Sequence, residues 1–233
     1  MSAVRDAAAR IDAIAVPLSL ERLERLGELE SGCNNFYAVR LRRGTIFSDY
    51  DLALAEALVA RSDLPRVVHE VGGGFGNLSM LLAMNGFQAT CLELAKLRYD
   101  GGMAILEALR PALPQMANFR LLHAAFPEPT LKPDGAMAVI TNLVATTSEA
   151  DRRAMLRRLG AYDAAIIDVD RFLTSITTAP ERETRLADFA AHGLTGEPFL
   201  DCGTSACFYL FHGERPAQGD GLMSRMKRLF ARA

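Results

Sequence analysis

The chain has 233 residues, half of them hydrophobic, and a formal net charge of −2. That length suits one α/β domain with an accessory segment, and the absence of a basic excess argues against nucleic acid as a partner. No run reaches the ~18 apolar residues of a membrane span, and the charged, amphipathic opening MSAVRDAAARIDAIAVP lacks the apolar core of a signal peptide.

In chain order, residues 2–15 and 19–30 carry apolar residues at helical spacing, and Pro17 predicts a break between two helices. Val39 and Leu41 alternate with Arg40 and Arg42, which predicts a short strand with a solvated edge. Its arginines would meet an anionic substrate group only if this segment closed over a site. Ser48 is placed to cap a helix from about Asp49 to Arg61. From Pro65 the rhythm changes. Strands are expected at 66–71, 88–94, 119–125, 136–144 and 164–169, and helices at 77–85, 96–109, 148–159 and 180–192. The last two apolar runs, EPFLDCG and ACFYLFHG, meet at a tight turn without a helix between them. Strands alternating with helices imply a doubly wound, mostly parallel α/β sheet of seven strands, and the closing hairpin makes the last strand antiparallel. Residues 1–60 then form a helical N-terminal lid, 61–213 the main domain, and 214–233 a linker and a basic amphipathic helix. Leu222, Met226, Leu229 and Phe230 form an apolar stripe among the basic residues of 222–232, suited to weak docking on a membrane surface or a partner. The four cysteines, Cys33, Cys91, Cys202 and Cys207, are scattered, as expected of reduced thiols in a cytoplasmic protein, and no metal site is expected.

The densest signal is RVVHEVGGGFGNLSMLL. In an open α/β sheet the ligand sits beyond the carboxyl ends of the strands. Gly72, Gly73, Gly74 and Gly76 remove side chains where a ligand would approach the backbone. A dinucleotide loop would want a third glycine where Asn77 stands. Glu70, just before the loop, suits a ligand with an ammonium group better than a pyrophosphate, where like charges repel. Glu93 closes the second strand in ATCLELA, and a carboxylate with two acceptor oxygens matches a vicinal diol.

The series Glu70, Gly72, Gly74, Gly76 resembles the first motif of class I S-adenosylmethionine-dependent methyltransferases. The loop is also loosely similar to that of sugar O-methyltransferases, often Glu-Ile-Gly-Gly-Gly-Tyr-Gly. The resemblance covers about residues 60–213 and implies a Rossmann-like methyltransferase fold with S-adenosyl-L-methionine as cofactor. Its implied cofactor contacts are Glu70, the four glycines, Asn77, Glu93 and Leu94. The acid that the family often carries near the end of strand three is missing from LLHAAFPEP, which leaves His123, a backbone group or Glu128 to take its place.

Methyl transfer to a hydroxyl calls for a base near the ends of strands four and five. The candidates are Asn142 in ITNLVATT, and Asp168 and Asp170 in IIDVDRF, which share a side if the strand continues. ITNLVATT lacks the proline and aromatic of amine-methylating relatives, which favours oxygen in a small polar acceptor. Two rivals stand beside this expectation: a non-catalytic module that binds the same donor, and, less favoured, an NAD-dependent dehydrogenase. His69, in the middle of a strand, is expected to be a satisfied core histidine.

Overall fold

The computed structural model describes residues 2–25, 35–141, 143, 148–172, 179–203 and 206–213. Cys33, Asn142 and the segment 214–233 lie outside them. The helices are α1 (Ala3–Arg25), α2 (Asn35–Arg42), α3 (Asp49–Ala60), α4 (Asn77–Met84), α5 (Lys96–Leu109), α6 (Glu149–Leu159) and α7 (Ala179–Ala191). The strands are β1 (Val67–Val71), β2 (Gln88–Glu93), β3 (Phe119–His123), β4 (Ala136–Ile140), β5 (Ala164–Asp168), β6 (Leu194–Asp201) and β7 (Cys207–Gly213).

The seven strands form one sheet in the order β3-β2-β1-β4-β5-β7-β6. The first five are parallel. β7, last in the chain, runs antiparallel between β5 and β6, as the closing hairpin predicts. The strand order reverses between β1 and β4, which puts the switch point at the carboxyl end of β1.

Two buried clusters lie on opposite sides of the sheet. Val68, Ala89, Cys91, Met137 and Ile166 pack with α1, α3, α4 and α5. Ala138, Ile140 and Ile167 pack with Leu156 of α6 and Phe189 of α7. β4 and β5 are buried along their whole length on both sides, which is why they read as unbroken apolar runs. Val4, Ile11, Leu54 and Leu58 share the first cluster with Val68, so the N-terminal helices are built into the body of the domain.

Three local expectations are corrected. Pro17 does not divide the first segment; it sits inside α1. Pro17 and Ala13 are exposed, so the carbonyl released by the missing N–H meets water. Residues 39–41 are helical, in α2. Ala38 and Leu41 are buried three positions apart and Val39 is outside. Arg40 is buried too, 3.6 Å from Asp51, so its charge misrepresents the side it faces. It is neither a solvated edge nor free for a substrate. β4 ends at Ile140, short of the expected 144, and β3 ends at His123. Ser48 caps α3 as expected, in a reciprocal capping box with Asp51.

Candidate functional site

β1 delivers the chain to the loop at residues 72–76, and Gly76 stands at the N-cap of α4 with φ 80°. Two of the glycines answer to the protein's own packing. A Cβ at Gly73 would lie 2.4 Å from Glu70 Cδ and 2.7 Å from Cys91 Sγ. One at Gly76 would lie 2.4 Å from Phe119 Cζ. The loop is therefore pressed down onto β1, β2 and β3, and its upper side belongs to backbone.

Glu70 was expected to face an ammonium group. It is instead turned under the loop and is only 1% exposed. Its Oε2 accepts from the Ser79 backbone N–H at 3.0 Å and the Ser79 hydroxyl at 2.7 Å. Burial pushes its pKa up to about 8, with Ser79 opposing and Asp51 and Glu93 adding to the rise. That shift favours the protonated carboxyl, and through Ser79 the group ties α4 to β1. Alternation along the strand places it there, because Glu70 follows Val68 on the helix-covered side. Ser79, which the sequence reading passed over, is the partner that makes this burial tolerable.

Asn77 is likewise committed inward. Its amide nitrogen donates to the Ile46 carbonyl at 2.8 Å, and its side chain also reaches Asp51. The asparagine that breaks the dinucleotide pattern thus ties α4 to the segment before α3.

Glu93 stands at the end of β2, where expected. The Gly74 N–H donates to Oε2 at 2.8 Å and the Ala95 N–H to Oε1 at 2.7 Å. One carboxylate therefore holds the glycine loop and the turn after β2 together, with one lone pair on each oxygen left over. Leu94, the next residue, is 65% exposed. His123 pairs with Glu93 in the β2–β3 register. Its Nε2 is 2.9 Å from the Leu94 carbonyl, and its ring stacks on Tyr99 at 5.1 Å. Glu128 is turned to its own loop, accepting from Thr130.

At the other side of the switch point, β5 ends at Asp168 and the chain turns. The premise that Asp168 and Asp170 continue one strand fails. Asp168 Oδ1 accepts from the Cys207 and Asp170 N–H groups, each at 3.2 Å. Its Oδ2 is buried and has no hydrogen-bond partner among the described residues. Burial pushes this pKa up to about 6. Asp170 accepts two bonds from Arg182, at 2.7 and 2.5 Å, a pairing no local sequence signal announced. His69 is buried, as expected, with Nδ1 2.9 Å from the Tyr162 hydroxyl. Cys91, Cys202 and Cys207 are free thiols. Among the described residues no group of three or more His, Cys, Asp or Glu is arranged to hold a metal, and no helix is long and apolar enough to cross a membrane.

No family model matches the chain, and no curated protein matches it in sequence. Solved structures do match in shape. Magnesium protoporphyrin IX methyltransferase from Synechocystis PCC 6803, solved with bound S-adenosylmethionine, is 13% identical; the match covers 91% of this chain and 97% of that one, at a TM-score of 0.54. A glycopeptide N-methyltransferase in complex with sinefungin is 16% identical, over 68% of this chain and 85% of its own, at 0.51. With its 3-2-1-4-5-7-6 strand order and these neighbours, the chain has the fold of the S-adenosylmethionine-dependent methyltransferases.

Proposed function

We propose that the protein is a S-adenosylmethionine-dependent methyltransferase acting at an oxygen of a small polar acceptor. The observation that carries this reading is the glycine loop at the switch point, held down by Glu93 from the end of β2. The residues present fit the donor. Glu93 keeps a free lone pair on each oxygen for two ribose hydroxyls. Leu94 leaves apolar surface open at the strand end, beside the stacked Tyr99 and His123, where an adenine ring has a partner. Gly72 and Gly74 offer backbone to the amino-acid end. When bound, the donor supplies a methyl group on a sulfonium, already activated for in-line displacement.

The chain's own part is alignment and exclusion of water. Asp168 Oδ2 takes the acceptor proton in this reading. Asp170 stays paired with Arg182 and fixes the turn after β5. A second reading, a donor-binding module without transfer, draws on one fact: Asp168 is only 1% exposed.

Calorimetric titration with S-adenosylhomocysteine tests the donor site, and absence of binding at millimolar ligand overturns it. Radiolabelled methyl transfer to a panel of hydroxylated small molecules then separates the two readings. Asp168→Asn is expected to lower kcat by about a hundredfold, within the usual range for loss of a general base, with donor affinity unchanged. Binding without transfer to any acceptor favours the module.

A further inference from the structure

The side of the sheet that carries α6 and α7 is unevenly covered. Those helices pack against β4, β5 and β7 through Leu156, Phe189 and Phe211. The crossover from β3 to β4, residues 124–135, holds no helix. In its place a cleft of about 340 Å³ lies over the amino-terminal half of β1, β2 and β3. The glycine loop is at the opposite, carboxyl end of the same strands.

The floor of this cleft is polar, which is unusual for inner strands of a parallel sheet. His69 on β1 is in register with Thr90 on β2, and Thr90 with Arg120 on β3. The three side chains form one row across neighbouring strands, at a spacing of about 4.8 Å. His69 and Thr90 are 5% and 8% exposed, yet both line the cleft. The Tyr162 hydroxyl, 1% exposed, has His69 Nδ1 as its recorded partner. A buried hydroxyl needs an acceptor, so Tyr162 donates and the ring hydrogen resides on Nε2. No bond to another described residue uses that hydrogen or the Thr90 hydroxyl. Burial, then Arg158 and Arg120, hold the His69 pKa below its ordinary 6.5, so the ring is a neutral donor in a positive field. Lys132 extends from the crossover at the same cleft, with Asp134 at its rim. Among the described residues neither Arg120 nor Lys132 has an ion-pair partner.

We propose that this cleft is a second ligand site, for the phosphoryl group of a small phosphate monoester. Residues carrying four donors line it: imidazole, hydroxyl, guanidinium and ammonium. A phosphoryl group brings three terminal oxygens and up to two charges to meet them, and Arg and Lys bonds to such an anion are of the strong, charge-assisted kind. Asp134 is placed to accept from a hydroxyl on the rest of the ester. The site stands apart from the methyl donor and does not depend on it.

The test uses the full chain, isotopically labelled, at constant ionic strength and neutral pH. Inorganic phosphate and glycerol 1-phosphate are titrated while the His69 ring and the Thr90 and Arg120 amides are followed by NMR. Saturable shifts confined to these groups are expected, with the ester binding more tightly than inorganic phosphate. Arg120→Ala and Lys132→Ala, both at exposed positions, each weaken binding by about tenfold and leave S-adenosylhomocysteine affinity unchanged. Shifts that rise linearly, that chloride reproduces, that keep the wild-type affinity in Arg120→Ala, or that centre on the glycine loop overturn the proposal.

Discussion

The carboxyl ends of β1 and β2 and those of β4 and β5 lie on either side of one switch point, and both are acidic. They use their acids differently. Glu70 and Glu93 are wired to nearby hydrogen-bond donors, Ser79, Gly74 and Ala95, and so shape the loop between them. On the β5 side, Asp168 keeps one buried oxygen without a partner among the described residues, and Asp170 is held by a guanidinium from α7. The first half is a self-contained cradle. The second leaves an acceptor unmatched, and an unmatched buried oxygen costs free energy that folding alone does not require. If the proposed function holds, a preformed cradle beside a less settled side is the arrangement expected when one ligand is constant and the other varies.

The comparison breaks if Glu70 is ionised beneath the loop or if the cradle is not rigid, and the larger effect tests the first. Glu70→Gln is that test. Its native pKa is raised from 4.5 to about 8, so the folded state holds the extra proton between those values. The wild type is then most stable below pH 4.5 with respect to this group, and loses that contribution as pH rises to about 8. Glutamine cannot ionise. The variant should nearly match the wild type at pH 5 and exceed it at pH 8.5 by about 4 kcal/mol. Parallel pH profiles would show that Glu70 is ionised in the fold and that the cradle is charged. Gly76→Ala comes next. It combines a left-handed backbone with a Cβ forced against Phe119, and is expected to cost about 3 kcal/mol of stability. Gly86→Ala is the control: its φ is +85° but nothing lies within 4 Å, so only the backbone cost of about 1 kcal/mol remains. Equal losses by urea denaturation would mean that the loop is not seated on Phe119.

How much of this was legible depends on what sets each residue. The strands were, because Ala136–Ile140 and the first four residues of Ala164–Asp168 are apolar runs between turn signals, and the final hairpin announced the antiparallel β7. The position of Glu93 was, because strand ends and loops are local. The role of Glu70 was not, although its alternation with Val68 carried the hint. Residue type suggested a charge offered to a ligand, while burial turns it beneath the loop, onto Ser79, and raises its pKa against the pull of the Ser79 donors. α2 was misread for the same reason: Arg40 looks exposed until Asp51 brings it inside. Arg182 lies on a different helix from the strand end it serves, and only the fold brings it to Asp170.

Glu93→Gln sharpens the comparison at the point of contact with the donor. An amide group can accept from Gly74 or from Ala95, and its nitrogen faces whichever N–H remains. One backbone donor is left unmatched, and the amide nitrogen cannot accept from a ribose hydroxyl; losing that one bond to the proposed diol, worth about 1.5 kcal/mol, lowers affinity for S-adenosylhomocysteine about tenfold. Asp170→Asn, on the other side of the switch point, should leave that affinity unchanged. If both variants weaken the donor alike, the two halves are one coupled site and the distinction fails.

The smallest effect probes the edge of the cradle. His123 is held on two sides, by the Leu94 carbonyl at 2.9 Å and by the Tyr99 ring at 5.1 Å. The stack keeps the imidazole fixed beside Leu94, where the donor's adenine would lie. Tyr99→Leu preserves helix propensity and apolar bulk in α5 but removes the ring contact, worth about 0.5–1 kcal/mol. A two- to fivefold loss of S-adenosylhomocysteine affinity is expected, with S-adenosylhomocysteine and adenosine affected alike, because the purine and not the amino-acid end meets this edge. Homocysteine serves as the counter-probe, since its binding should not depend on Tyr99. Unchanged adenosine affinity would move the purine away from β3, and would leave the missing acid of that strand without a substitute in His123.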